Sequence, residues 1–211
     1  MKAIGIIITF LIFTFQLYSQ DKIVIKPTSL DLLISYEDSI GSISKGFQFF
    51  NPYYDEDFED IYENWPNVLK KPLIYKRIND DFYPTLHAWY FYDKDSTVKW
   101  IDYHWGFGNT KIDATDDEIR QQTFREKDFK KKYKKEKENL KKMLGTPTIE
   151  DVKKETDSYL NLKTIWNLPE KRVVINMTID KRVVEFYSKE VEKIIVIPRS
   201  KIEIKILMKE K

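Results

Sequence analysis

The chain of 211 residues contains no cysteine. Disulfide bridges, thiol catalysis and Cys-ligated zinc or iron–sulfur sites are therefore excluded. A lipid-anchored exported protein is excluded as well, because the acyl chain of such a protein is attached to a cysteine at the processing site. An ordinary hydrophobic core has to stabilise the fold, and a chain of this length is long enough to bury one.

Net charge of either sign is also nearly absent, since 36 Lys and Arg residues face 34 Asp and Glu residues. A dedicated nucleic-acid-binding protein needs a basic footprint, so no nucleic acid is predicted as a partner. Histidine is scarce too, with only His87 and His104 in the chain. The G-x-S-x-G, P-loop and H-E-x-x-H motifs are missing. The sequence thus predicts no catalytic residue and favours a protein that is not an enzyme.

Long apolar runs are missing except at the N-terminus. Lys2 precedes an uncharged stretch over residues 3–15, after which polarity rises towards Gln20. This layout predicts a cleavable signal peptide over residues 1–20, with the exported chain beginning at Gln20 or Asp21. An uncleaved N-terminal anchor is the alternative, although the run is shorter than the roughly 20 residues that a bilayer span needs. We expect a periplasmic or secreted protein with no membrane span after cleavage.

Strand patterns surround one long helical pattern in the rest of the chain. Acidic residues at the start, lysines at the end, and the Gly145 and Pro147 that follow predict a helix over residues 116–144. Its apolar stripe consists of Ile119, Phe124, Phe129, Tyr133, Leu140 and Leu144. We expect a strand over 73–78 and three hairpins: 85–92 with 97–105, 162–168 with 172–179, and 193–197 with 201–208.

Shorter signals complete the fold prediction. Thr28 or Ser29 is expected to cap a helix over 30–36, residues 22–26 alternate like a strand, Gly41 and Gly46 indicate a turn, and 148–158 favours a short helix. The predicted fold is α+β, a mostly antiparallel sheet with one long amphipathic helix. We expect an irregular segment over 21–72 to pack on an α+β domain over 73–211, both within one globular unit.

The hairpin at 85–105 contains both histidines. With the turn placed at 93–96, the predicted register sets Trp89 opposite Trp100 and His87 opposite Asp102, with His104 further along the same face. His87, Asp102 and His104 then form a candidate site for a divalent metal such as zinc, the one cofactor that the sequence suggests. An ordinary cross-strand His–Asp pair is the competing interpretation, and a three-residue turn would separate the residues.

Aromatic residues are concentrated between residues 47 and 107. On the predicted hairpin, Trp89, Trp100, Tyr103 and Trp105 occupy both faces, which makes them candidate ligand-binding residues for a protein, peptide or glycan partner. Filling of a half-buried sheet is the alternative role for such rings.

Two charged stretches have simpler interpretations. The acidic residues at 55–60 lack the spacing of a calcium loop, so a solvated acidic face is expected there. The lysines at 130–142, among them Lys134 and Lys137, have helical spacing typical of an exposed helix face. The sequence therefore favours an exported, non-catalytic binding or accessory protein. The alternative is a secreted metal-dependent hydrolase that uses His87, Asp102 and His104.

Overall fold

The computed structural model describes residues 23–26, 28–47, 71–78, 82–106, 125–180, 184–188, 193–197 and 200–209, with the backbone alone at 184–188 and 193–197. The predicted signal peptide, the acidic stretch at 55–60 and the part of the predicted long helix before Arg125 lie outside these residues. Neither helix of the described part is long and apolar enough to cross a membrane.

The described part of the chain is an α+β structure built on one antiparallel sheet of eight strands. The order across this sheet is β1-β2-β3-β4-β10-β7-β6-β5, while β8 and β9 form a separate hairpin. The strands are β1 (Ile43–Phe47), β2 (Leu73–Arg77), β3 (Leu86–Tyr92), β4 (Val98–Trp105), β5 (Ile149–Thr156), β6 (Tyr159–Asn167), β7 (Lys171–Asp180), β8 (Val184–Ser188), β9 (Lys193–Ile197) and β10 (Lys201–Met208).

Two helices, α1 (Leu30–Ser39) and α2 (Glu126–Leu144), contact one face of the sheet, which we call the helix face. Because strand side chains alternate, every second residue of each strand points to this face. On the central strand β10 these residues are Ile202, Ile204, Ile206 and Met208, all of which belong to the main hydrophobic core. The intervening residues of β10 point to the opposite face, which we call the far face.

The start of α1 agrees with its sequence signal, because the Ser29 hydroxyl accepts a hydrogen bond from the Leu32 N–H. The C-terminal end of α2 agrees as well, since Gly145 follows the helix with φ of 83°, a conformation that glycine adopts without strain. On α2, Phe129, Tyr133 and Leu140 are buried as the apolar stripe predicts. In the described part of the chain, the helix begins at Glu126, after Arg125 with its non-helical backbone angles, and the predicted start at residue 116 stays a prediction.

Two local predictions are wrong because strands at the edges of the sheet, β5 and β1, were predicted as a helix and a turn. Residues 149–156 form β5 instead of a short helix, and all of its residues are exposed. An edge strand that is exposed on both faces has no alternating pattern, so its charged sequence resembles a helix surface. Similarly, of the two glycines predicted to indicate a turn, Gly41 lies in a turn, whereas Gly46 lies in β1 at a bulge in the pairing with β2. Residues 23–26 are irregular and do not form the predicted strand.

The predicted pairing of the last two strands is wrong. β9 pairs with β8, and β10 lies in the middle of the main sheet, between β4 and β7. Its alternating apolar residues suit a central position, where one face is covered by the core. The short segment between β9 and β10 had favoured a hairpin from local turn chemistry alone.

Lys137 is not on the solvated side of α2, contrary to the sequence expectation, whereas Lys134 is exposed. The Lys137 ammonium lies 2.5 Å from an Asp151 carboxylate oxygen and 3.3 Å from Glu150. Burial alone would raise the pKa of Asp151, but the hydrogen bond and charge of Lys137 lower it on balance. The lysines of α2 therefore include one that fastens the helix to β5.

Candidate functional site

The β3–β4 hairpin forms with a register that differs from the predicted one by two residues. His87 lies opposite His104, and Trp89 lies opposite Asp102. The pairing shifts at an irregularity between Phe91 and Tyr92, next to the turn. A shift by two residues leaves each side chain on its predicted face, because the side-chain period of a strand is two. Both histidines and Asp102 therefore share the far face.

Strand β10 adds a carboxylate that the sequence analysis missed. Glu203 lies directly opposite His104, and Lys205 lies opposite Asp102. One ligand atom each from Asp102, His104 and Glu203 lies within 4.8 Å of the others. We refer to these three residues as the Asp–His–Glu cluster. The alternation of apolar and charged residues along β10 was the available signal, but the pairing of β10 with β4 is not visible in the sequence.

The Asp–His–Glu cluster is almost closed to solvent. Asp102 is 8% exposed and Glu203 is 5% exposed, and the side chain of His104 is 13% exposed. One polar atom on each residue is buried without a hydrogen-bond partner in the described part of the chain: Asp102 Oδ1, His104 Nε2 and Glu203 Oε2. A buried polar atom without a partner costs about 1–3 kcal/mol, so such atoms call for an explanation.

The two carboxylates of the cluster differ in their electrostatic surroundings. Burial raises the pKa of Asp102 to about 6, and the neighbouring charge of Glu203 acts in the same direction. Burial would also raise the pKa of Glu203, but the charge of Lys205 and a hydrogen bond from His104 hold it well below its usual range. The Lys201 ammonium contributes as well, at 2.8 Å from Glu203 Oε1. The lysines of β10 thus favour the charged form of Glu203.

His87 lies beside the cluster without belonging to it. Burial, together with the neighbouring His104, Lys76 and Lys45, lowers the pKa of His87 to about 4. Its imidazole is therefore neutral at physiological pH. The structure thus groups Asp102 and His104 with Glu203 and not with His87. The prediction that His87 is a metal ligand stays a prediction.

Gly106, just after β4, lies against the imidazole of His104. A Cβ atom at this position would lie 2.6 Å from His104 Nε2 and 2.8 Å from Lys201 Cβ. Both distances are shorter than a real Cβ contact, so any larger residue would displace the ring or the strand. Glycine at this position allows the observed orientation of His104.

The cluster belongs to a polar row that crosses the far face. From β2 to β6, the paired positions of this row are Lys76, His87, His104, Glu203, Asn176 and Lys163. Next to this row, the Asn161 amide donates to Asn176 Oδ1 at 2.7 Å and to Thr178 Oγ1 at 3.2 Å. These buried asparagines have hydrogen-bond partners for their amide groups, whereas each residue of the Asp–His–Glu cluster keeps one polar atom without a hydrogen-bond partner in the described part of the chain.

Three of the four predicted ligand-binding rings are packed inside the protein. Trp100, Tyr103 and Trp105 are each at most 2% exposed, and Trp89 is partly buried. Trp100 stacks on Phe91 with 4.1 Å between ring centroids, and the Lys132 ammonium lies 4.7 Å from the ring centroid of Trp105. These contacts give the rings a packing role, and their role in ligand binding stays a prediction.

A second buried polar cluster connects α1 to the helix face. Glu37, at the end of α1, is fully buried and receives hydrogen bonds from both Nε and Nη2 of Arg77, the latter at 2.6 Å. Tyr90 and Ser42 also donate to the Glu37 carboxylate. The Arg77 guanidinium lies 5.1 Å from the ring centroid of Tyr103. Every oxygen of Glu37 has a partner, which is typical of a structural ion pair.

No model of a known protein family matches this chain, and comparison with curated proteins and with solved structures found no match either.

Proposed function

We propose that this protein is exported and acts by binding a partner, without catalysis of its own. The proposal rests on a contrast in solvent exposure between two groups of side chains. The Asp–His–Glu cluster, whose side chains could act as acids, bases or metal ligands, is buried. An aromatic residue of the outer strand β1 is instead exposed to solvent. Phe47 is 59% exposed. A reaction centre has to admit its substrate, and a closed cluster between two central strands does not provide such access.

The binding surface that this contrast supports lies at the β1 side of the sheet. The Phe47 ring lies 6.4 Å from the ring of Tyr92 on the helix face, and Ile43 of the same strand is 47% exposed on the far face. Outer strands present backbone groups to which an extended peptide can add, and exposed rings increase the affinity of such contacts. The partner proposed on this basis is a protein segment or peptide in extended conformation.

We expect Phe47→Ala to weaken partner binding by at least about tenfold, because an aromatic residue at the centre of an interface contributes about 2 kcal/mol or more. Chemical cross-linking in the producing cell, followed by affinity capture and titration of the captured partner, measures the effect. The matched control is Met143→Ala, which removes an apolar side chain of 46% exposure from α2. Equal affinities of wild type and Phe47→Ala for the partner would show that the surface around Phe47 is not the binding site.

Export rests on the signal-like residues 1–20. We expect the protein recovered from the host envelope to begin at Gln20 or Asp21, because the cleavage region follows the apolar stretch there. N-terminal sequencing of the recovered protein measures this directly. Intact Met1 in the membrane fraction would favour the uncleaved anchor instead.

A metal-dependent hydrolase is the second candidate, and the Asp–His–Glu cluster is the observation that favours it. Catalytic zinc sites combine three protein ligands with an open position for water or substrate. The burial of the cluster argues against the open position. A zinc-dependent hydrolysis that disappears in His104→Ala would favour this candidate over the binding protein.

A further inference from the structure

We propose that Asp102, His104 and Glu203 bind a divalent transition-metal ion of the zinc type, in a buried site that joins β4 to β10. This proposal goes beyond partner binding and does not depend on it. The site would be structural, because it connects residues that are far apart in the sequence and lie on adjacent central strands. A metal bound only by the folded chain stabilises that fold.

The donor set and its spacing suit zinc. One imidazole nitrogen and two carboxylate oxygens are common zinc ligands, at about 2.0–2.2 Å from the ion, which places two tetrahedral ligands about 3.3–3.5 Å apart. His104 Nδ1 lies 3.4 Å from Glu203 Oε1, which equals the spacing of two tetrahedral zinc ligands. All three ligand atoms lie within 4.8 Å of one another, so they would have to approach each other by only about 1 Å to reach this spacing.

The buried atoms of the cluster that lack a hydrogen-bond partner support a metal site independently of the ligand distances. Asp102 and Glu203 are more than nine-tenths buried, and each keeps one carboxylate oxygen without a hydrogen-bond partner in the described part of the chain. Buried carboxylates are normally hydrogen-bonded, paired with a cation or coordinated to a metal. An ion between the two strands would supply the missing partner to Asp102 Oδ1, and it would reach Glu203 Oε2 as well when both oxygens of that carboxylate bind it.

Lysines of β10 compete with the metal for Glu203. The Lys201 ammonium lies 2.8 Å from Glu203 Oε1 and the Lys205 ammonium lies 3.9 Å from Oε2. The Lys201 side chain is 37% exposed, so it can turn into solvent when an ion arrives. Lys205 is also the residue of β10 that lies opposite Asp102.

His87 provides the matched control. It is the other histidine of the chain, it lies opposite His104 on the far face, and it is not one of the three grouped ligands. His87→Ala removes an imidazole from the neighbouring strand, while His104→Ala removes the proposed ligand. Glu203→Gln keeps the shape of the side chain but removes its charge, so it tests the site even if His104→Ala does not fold.

The experiment uses the full protein, stripped of metal with a chelator and titrated with ZnCl₂. At a zinc concentration about 100-fold above Kd, we expect the melting temperature of the wild type to rise by about 5–10 °C. His87→Ala should keep this shift, and His104→Ala and Glu203→Gln should lose it. Calorimetric titration should give one zinc ion per wild-type chain, and Mg²⁺ should cause a much smaller shift because it prefers six oxygen ligands.

Three results would overturn the proposal. The first is a wild type whose melting temperature does not respond to zinc. The second is an equal zinc response in wild type and Glu203→Gln, which would place the bound ion elsewhere. The third is a loss of the response in His87→Ala with retention in His104→Ala. Partner binding is measured separately, with Phe47→Ala and its control Met143→Ala. A failure of the metal site can therefore be distinguished from a failure of the binding surface.

Discussion

Replacement of Glu37 by alanine is expected to lower the free energy of unfolding by about 3–5 kcal/mol, because it leaves the buried Arg77 charge without its partner. Glu37 is fully buried and Arg77 is 5% exposed, so water cannot replace the lost carboxylate without opening the contact between α1 and the sheet. Tyr90 and Ser42 would lose an acceptor at the same time. Urea-induced unfolding of wild type and variant measures the difference.

A control substitution at an exposed glutamate and a double variant of the ion pair complete this test. Glu138→Ala removes a carboxylate of 50% side-chain exposure from α2 and should change stability by less than about 0.5 kcal/mol. Exchange of both Glu37 and Arg77 for leucine should recover a large part of the loss, because replacement of a whole buried ion pair by apolar residues is often neutral. A loss below about 1 kcal/mol in Glu37→Ala would mean that the ion pair does not hold α1 in place.

The second large effect is expected for Leu140→Asp, with a loss of more than about 4 kcal/mol. Leu140 is fully buried in the main core, so the substitution removes apolar contacts and introduces a charge without a partner. Thermal unfolding followed by circular dichroism measures the effect. The same substitution at Met143, which is 46% exposed on the same helix, should cost less than about 1 kcal/mol. Similar losses at the two positions would show that the buried face of α2 has been assigned incorrectly.

Much of the local structure could be predicted from patterns within a few residues. The strands of the β3–β4 hairpin were predicted from alternation, the end of α2 from Gly145, and the start of α1 from the pair Thr28 and Ser29, of which Ser29 is the cap. Each of these signals depends on backbone conformation or side-chain direction over one or two turns of chain. For the same reason the shared face of His87 and Asp102 was predicted correctly although their register was not.

The Asp–His–Glu cluster shows the limit of such patterns. Asp102 and His104 were candidates from the hairpin alone, whereas Glu203 came within reach only because β10 inserts between β4 and β7. The wrong expectation was a hairpin of β9 with β10, based on the short segment between them. Turn chemistry indicates that the chain can reverse, but it does not decide which strand becomes the neighbour.

The sequence by itself determined the faces of the β3–β4 hairpin, the N-terminal cap of α1, the C-terminal end of α2 and the absence of any cysteine chemistry. Only the tertiary structure decided that β10 is central, that β5 is an exposed edge, and that Glu203 and not His87 joins Asp102 and His104. The physical reason is that strand order depends on the burial of apolar area over the whole sheet. That free energy is shared among residues far apart in the chain, so no local window of sequence contains it.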